Sequence, residues 1–390
     1  MKQKSIWIVV GLVMLGIVMR SPFTTIPTIL SDIARSLEVS VSSLGALTSI
    51  PLLMFAVFSS LAPKLAQRFG LERLMAATLF LMAIGSALRV IALPALYLGT
   101  VVVGATIACV NVLLPSIVSR YFPHKVGIYT TLYTSVMGLS STILTSLASP
   151  IAHIVRWRGF ILCLSAIVLL AFILWLPNIS KNAQVQMETK TAEPSQQNLW
   201  TNKYALALLI FGGLQSLLFY TEMTWLPTLS QAAGFSASQA GSLLGLYNLV
   251  SLPMSLMIPN LVTSQKSQQR TWTMSGFAGL TFLGIAILLF APKTYFFWAV
   301  GHVSLGLSVA ALFPYMLVSF NLKTTTAQNT AHLSGMVQTG GYLLAAIGPV
   351  LLGYSQELFG SWEALLWILA VMAGIMGLAL VAFEKADKIL

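Results

Sequence analysis

Charge is scarce in this sequence. Of 390 residues, only 8% are Asp, Glu, Lys or Arg, where a soluble globular protein typically carries about 25%. That excludes an ordinary soluble enzyme and a disordered chain. Acid is scarcer than base: 10 Asp and Glu stand against 21 Lys and Arg, for a net charge of +11. A clustered excess of that sign would suit nucleic acid. Here the basic residues are spread thinly over the whole length, so nucleic acid is not an expected partner. There are two cysteines, Cys109 and Cys163, both in apolar runs. They define no disulfide framework and no metal spacing, and we expect two small buried hydrophobes. With four histidines and ten acids there is no His/Cys/Asp ligand pattern, no phosphate-cradling glycine loop and no nucleophile elbow. Nothing points to an enzyme, a bound metal or a cofactor, or to ATP as the direct energy source.

Apolar length is what the sequence has. Hydrophobic residues make up 57% and the mean hydropathy is +0.86. A helix that crosses a bilayer needs about 20 mostly apolar residues. Such runs occur at about 5–29, 42–63, 74–92, 95–119, 126–152, 158–177, 203–229, 238–262, 272–290, 295–319, 334–356 and 362–383. The first is too long for a cleaved signal peptide and continues into Arg20, Ser21 and Pro22 rather than a small-residue cleavage site. With the N-terminus inside, fifteen Lys and Arg fall in inner segments and five in outer loops. That bias obeys the positive-inside rule, and an even number of spans puts both termini in the cytoplasm. The one long polar stretch, 178–202, lacks apolar periodicity and reads as a cytoplasmic linker. It separates an N-terminal six-helix bundle (1–177) from a C-terminal one (203–390).

The two halves repeat. Ile26-Pro27-Thr28-Ile29 ends the first span, and Leu226-Pro227-Thr228-Leu229, 200 positions later, ends the seventh. Gly45 and Gly241 open the second and eighth, and that register carries Pro63 onto Pro259. Pro115 and Pro314 lie in the fourth and tenth, and Trp157 and Trp362 open the sixth and twelfth. A duplicated unit of six helices keeps the same direction in both copies, related by an axis along the membrane normal.

Two sets of six spans, a central linker and a basic loop between spans two and three resemble the major facilitator superfamily. The loop signature of that family is G-x3-D-R-x-G-x-R-R. Arg68, Gly70 and Arg73 match it, while Gln67 stands in place of the acid and Pro63 in place of the first glycine. Arg20, the run Asn111 to Pro115 with Arg120, Phe122 and Pro123, and Trp157-Arg158 resemble the cyanate and 2-nitroimidazole porters within it. So do Gly213 to Tyr220, Leu333 to Met336, and Gly341 to Ala346 with Gly348-Pro349. The resemblance implies an all-α integral membrane protein of twelve transmembrane helices in two bundles, in the inner membrane of a bacterium. It also implies monomeric alternating access around a central site for a small solute, with Arg68 and Arg73 in gating.

Ionisable residues inside spans are the best pointers to a site, because each costs about 2.5–3.5 kcal/mol at a helix centre. Arg20 lies about fifteen residues, or roughly 22 Å, into the first span. Its permanently charged fork suits a carboxylate or another small anion. Thr24 shares its face, and the 200-residue offset carries Arg20 onto Tyr220. Asn111, Tyr129 with Tyr133, Gln215, and Gln338 with Tyr342 complete the candidate substrate-contacting set. Glu222 and His302 are the candidates for proton coupling. Glu222 is rotated about 200° from Tyr220 and lies beside Gln215's face. We therefore expect a porter whose direction follows the substrate gradient, with coupling through Glu222 as the exception. The cargo class is a small anionic or polarisable planar solute. A proton-coupled exporter of drugs or heterocycles and a non-transporting membrane sensor are the alternatives, and protons are candidate partners beside the solute and the lipid bilayer.

Overall fold

The computed structural model describes residues 2–181, 199–325 and 327–389, and every described element is helical. Residues 182–198, most of the linker expected at 178–202, lie outside the described residues. The chain divides into two compact units, Met1–Thr189 and Lys190–Leu390. Among the described residues, nine helices are long and apolar enough to cross a membrane, ten if one bent pair is a single span.

The first unit opens with α1 (Lys2–Val18), α2 (Ser21–Thr24) and α3 (Leu30–Leu37). The sequence suggested one span over 5–29, but the helix is interrupted at Arg20. Pro22 and Pro27 lack the N–H that would continue the ladder, so the chain passes through a short turn and then a 3-10 turn at Ile26–Ile29. It goes on into α3, which no apolar run announced. That helix buries Leu30, Ile33 and Ala34 and ends at Glu38 in the left-handed region, φ 54°. Next come α4 (Ala46–Phe69), α5 (Leu71–Leu88), α6 (Leu93–Tyr121) and α7 (Val126–Trp175). Gly70, at φ 84°, makes the corner between α4 and α5, a conformation that favours glycine. The apolar stretch through α7, Ile128–Ser180, has 53 residues, roughly 80 Å of helix. A non-helical residue, Arg156 (φ 61°, ψ 165°), breaks it between the two runs that the sequence separates. Helices α4, α5 and α6 pack together, and α7 packs against α1 and α5.

The second unit contains α8 (Lys203–Ala232), α9 (Ala237–Leu249), α10 (Ser251–Ser264) and α11 (Ser267–Phe290). It continues with α12 (Tyr295–Leu322), α13 (Ala327–Gly353), α14 (Ser355–Phe359) and α15 (Glu363–Glu384). Asn202 caps α8, its side chain accepting from the backbone N–H of Tyr204 and Ala205. Ser236 and Gln239 form a reciprocal capping box on α9. The run 238–262 is split into α9 and α10 at Val250, where Pro253 cannot donate to the carbonyl of Leu249. Helix α8 is the hub, packed against α13, α15, α9 and α12. Both units expose large apolar side chains, among them Ile154, Phe290 and Leu378, as lipid-facing helices do. One expectation needs correction. Cys109 is buried, but Cys163 is exposed, because its part of α7 presents apolar residues such as Leu162 and Leu169 outward.

Candidate functional site

In the first unit, Arg20 occupies the interruption itself. It is half-buried, and its carbonyl accepts from the N–H of both Phe23 and Thr24 at 2.9 Å. The backbone turn is fastened by short side chains. Ser21 Oγ donates to the Ile17 carbonyl at 2.8 Å and Thr25 Oγ1 to the Ser21 carbonyl at 2.7 Å. Thr24 is buried, with Oγ1 3.2 Å from the Arg20 carbonyl and 3.1 Å from Ser141 Oγ on α7. Its hydroxyl therefore works in helix packing.

A residue the sequence showed only as a loop charge holds this turn from the side. Arg89, just past α5, is 2% exposed. One of its terminal nitrogens donates to the Pro22 carbonyl at 2.7 Å and the other to Ser86 Oγ at 2.9 Å. Its Nε has no hydrogen-bond partner. A guanidinium keeps its charge even when buried, so Arg89 is a cation at neutral pH. Proline at position 22 gives Arg89 a carbonyl at the helix break, two residues from Arg20. Nothing local in the sequence signals this pairing across 67 positions.

The remaining first-unit candidates disperse. Tyr133 is buried, and Tyr129 stacks on Phe122 with ring centroids 3.6 Å apart. Asn111 is exposed on α6. Arg68 and Arg73 are exposed at the α4–α5 corner and, with Phe69, Leu74 and Ala77, line an open groove of about 370 Å³. Beside them Glu72, at the start of α5, is fully buried. Its Oε1 accepts from Tyr121 at 2.6 Å and lies 3.3 Å from Arg120. The Trp175 indole N–H donates to its carbonyl at 3.0 Å.

In the second unit, α8 runs unbroken through the positions that repeat the first-unit turn. Pro22 corresponds to Glu222 at the same offset, so the ladder is not interrupted there. Thr224 repeats Thr24, donating to the Tyr220 carbonyl at 2.6 Å. Tyr220 and Glu222 are both buried. The Tyr247 hydroxyl, on α9, donates to Glu222 Oε2 at 2.9 Å. Gln215 donates from Nε2 to the Val309 carbonyl on α12 at 3.0 Å and is used within the bundle. Gln338 donates to Ser334 Oγ one turn away, and Tyr342 is half-buried on α13. His302 is fully buried: Nδ1 is 2.8 Å from the Trp298 carbonyl and Nε2 3.4 Å from Ser230 Oγ. A carbonyl only accepts, so the ring proton sits on Nδ1.

No local pattern in the sequence announced a second charged centre, at the end of α15. Glu384 accepts from Arg270 Nε and a terminal nitrogen, both at 2.7 Å, and from Lys323 Nζ at 2.9 Å. Tyr315 and Ser267 donate to it as well. Arg270, Tyr315, Lys323 and Glu384 are buried, and Ser267 is half-buried.

Residues 6–349 match the family described as Major Facilitator Superfamily. The chain is 34% identical over 384 residues to the 2-nitroimidazole transporter of Escherichia coli, covering 96% of this chain and 95% of that protein. It is 32% identical to the uncharacterized transporter YycB of Bacillus subtilis over 97% of this chain and 93% of that one. The cyanate transport protein CynX of Escherichia coli is 22% identical over 90% of each. Among solved structures, a variant of the nucleoside transporter NupG superposes with a TM-score of 0.80 at 14% identity, over 96% of this chain and 99% of that one. At that identity the likeness speaks for the fold alone. A match over most of the chain, full-length relatives that are transporters, and helical units built of apolar, sparsely charged spans agree: this chain belongs to the major facilitator superfamily and is a membrane-spanning secondary transporter, not an enzyme.

Proposed function

We propose that the protein moves a small anionic or polarisable planar solute, cyanate-like or nitroimidazole-like, across the inner membrane of a bacterium by alternating access. In this reading the chain crosses the membrane twelve times. The long α7 stretch crosses twice, on either side of Arg156, and α9 with α10 makes one bent span. Each unit then contributes a six-helix bundle, the 178–202 segment joins them, and both termini face the cytoplasm.

Arg20 is the principal substrate contact in this reading, and the observation that carries it is its place at the break in α1–α2. A broken helix frees backbone groups near the membrane interior, which is tolerated where the chain lines a binding site. A guanidinium there offers two parallel N–H donors to an anion or a nitro group. Asn111, Tyr129 and Tyr133 of the first unit and Tyr220, Gln338 and Tyr342 of the second are each proposed as further substrate contacts. Thr24 and Gln215 support the helices on which these residues stand. The relatives named for 2-nitroimidazole and cyanate favour a cargo of this size and polarity.

The test is counterflow of labelled cyanate and 2-nitroimidazole in proteoliposomes. Arg20→Lys keeps the charge but loses the fork, so the rate should fall at least about tenfold, equivalent to about 1.4 kcal/mol. Arg20→Ala should fall further, with both variants monodisperse in detergent. Parental rates in either variant would remove Arg20 from the site. Arg68 and Arg73 are assigned to gating instead. Arg68→Ala and Arg73→Ala should slow counterflow while equilibrium binding stays within about twofold of the parent. A large loss of affinity would place them in recognition.

A further inference from the structure

Glu222 stands alone in chemistry that a carboxylate does not tolerate alone. It lies on α8, ten residues before the helix ends at Ala232, and is 1% exposed. Among the described residues its one hydrogen bond is from the Tyr247 hydroxyl to Oε2, and Oε1 has no partner. An ionised carboxylate has about four acceptor sites to fill. Leaving that charge in an apolar interior without a counter-ion costs far more than holding the neutral acid.

The helices around α8 supply no counter-charge. Helix α9 brings Tyr247. Helix α12 brings His302, which lies beside Ser230, two turns further along α8, with Nδ1 on the Trp298 carbonyl. Its other titratable groups are Tyr295, whose hydroxyl pairs with Ser242 Oγ, and Tyr315, which donates to Glu384. Helix α13 carries Tyr342 as its only titratable residue over 339–353, and α15 carries none over 364–383. On α8 itself the nearest is Tyr220. Among the described residues no Lys, Arg or His is within ion-pairing distance of Glu222.

Access is closed where Glu222 sits. A Cβ on Gly348 of α13 would fall 2.3 Å from Thr221 Oγ1, and one on Gly353 would fall 2.3 Å from a Trp225 ring carbon. Helices α8 and α13 therefore touch on either side of position 222. Tyr247 is held equally close to α12, since a Cβ on Gly306 would lie 2.5 Å from the Tyr247 carbonyl. For Glu222 to exchange anything with water, these contacts must open.

We propose that Glu222, steadied by Tyr247, is a proton-carrying site that couples transport to the proton gradient. The carboxyl holds one proton in the arrangement seen here. It loses that proton when α8 separates from its neighbours and water solvates the anion, and it regains one before the contacts re-form. One proton is bound and one released per cycle, with no change in covalent bonding. This assignment revises the expectation of a gradient-following porter. It rests on the reading of the chain as a transporter of a small solute, and the experiment separates the two.

The first measurement needs no substrate. Difference infrared spectra of the parent at neutral pH should contain the carbonyl stretch of a protonated carboxylic acid, and Glu222→Gln should lack it. The second uses proteoliposomes with 2-nitroimidazole and with cyanate. An imposed pH gradient should drive accumulation by the parent. Glu222→Gln should lose that accumulation while keeping counterflow, which needs no net proton movement, within about twofold. Tyr247→Phe removes the hydrogen bond that Oε2 accepts, so gradient-driven accumulation should survive in that variant while the carbonyl stretch of the acid shifts in frequency. An infrared band that persists in Glu222→Gln, or accumulation undiminished by that change, would overturn the assignment. So would brisk parental counterflow with no response to the pH gradient. Absence of counterflow with either solute, with the band present, would instead count against the proposed cargo and leave the proton site standing.

Discussion

Glu384→Gln should lower the stability of the second unit by about 3–5 kcal/mol, the usual result of stranding buried charge by removing its partner. The substitution keeps the side chain's shape and removes its charge. Arg270, 7% exposed, and Lys323, 1% exposed, would then face a neutral amide. Burial already lowers the Lys323 pKa, and its contact with Glu384 opposes that effect. Without the carboxylate, Lys323 would tend to surrender its proton. Near 2–4 °C per kcal/mol for domains of this size, the loss corresponds to roughly 6–20 °C in apparent melting temperature in detergent. The comparison is Glu72→Gln in the first unit. There the single cation, Arg120, has a side chain 30% exposed, so solvent can take over much of the lost interaction. A shift for Glu384→Gln no larger than that for Glu72→Gln would show that the second cluster is electrostatically slack.

The next largest effect is expected where two helices meet without side chains. A Cβ on Gly99 would lie 2.3 Å from the Gly85 carbonyl oxygen and 2.7 Å from Arg89 Cγ. A backbone atom cannot rotate aside, so Gly99→Val must push α5 from α6. Overpacking of this kind costs typically about 1–3 kcal/mol and sometimes more. The displaced end of α5 carries Arg89, and with it the bond to the Pro22 carbonyl beside Arg20. Counterflow should therefore fall as well. Gly276→Ala on α11 is the control, since a Cβ there meets nothing within 4 Å. It should be neutral or gain up to about 1 kcal/mol of helix propensity. Equal melting temperatures for Gly99→Val and the parent would show that the α5–α6 contact yields easily.

The membrane-spanning architecture was legible because apolar length is a one-dimensional property. The repeat was legible for a similar reason. Thr24 and Thr224 sit 200 positions apart, and each returns its hydroxyl to the carbonyl four residues back. The break at Arg20 was half-legible. Pro22 and Pro27 announce it, but hydropathy runs through 5–29 without a dip. The polar partnerships were not legible. Arg89 meets Pro22 across 67 positions and Glu384 meets Arg270 across 114. Such pairs are created by helix packing and leave no local periodicity. Gln215 is a further case: its sequence neighbourhood suggested a substrate contact, and nothing there announced that its amide donates to the Val309 carbonyl on another helix.

The order of the Glu384 partners along the chain also matters while the protein is being made. Lys323 precedes Glu384 by 61 positions and Arg270 by 114. At ordinary translation speeds of about 5–20 residues per second, Arg270 leaves the ribosome roughly 6–23 s before the carboxylate that neutralises it. Over that interval Arg270 alone, and for the last 61 positions Lys323 as well, has no acid to meet, and the nascent helices that carry these cations must stay near water or lipid headgroups. Insertion of α11 and α12 is thus provisional until α15 arrives. A ribosome stalled between Lys323 and Glu384 should leave a second unit that the membrane's quality-control proteases can recognise and remove.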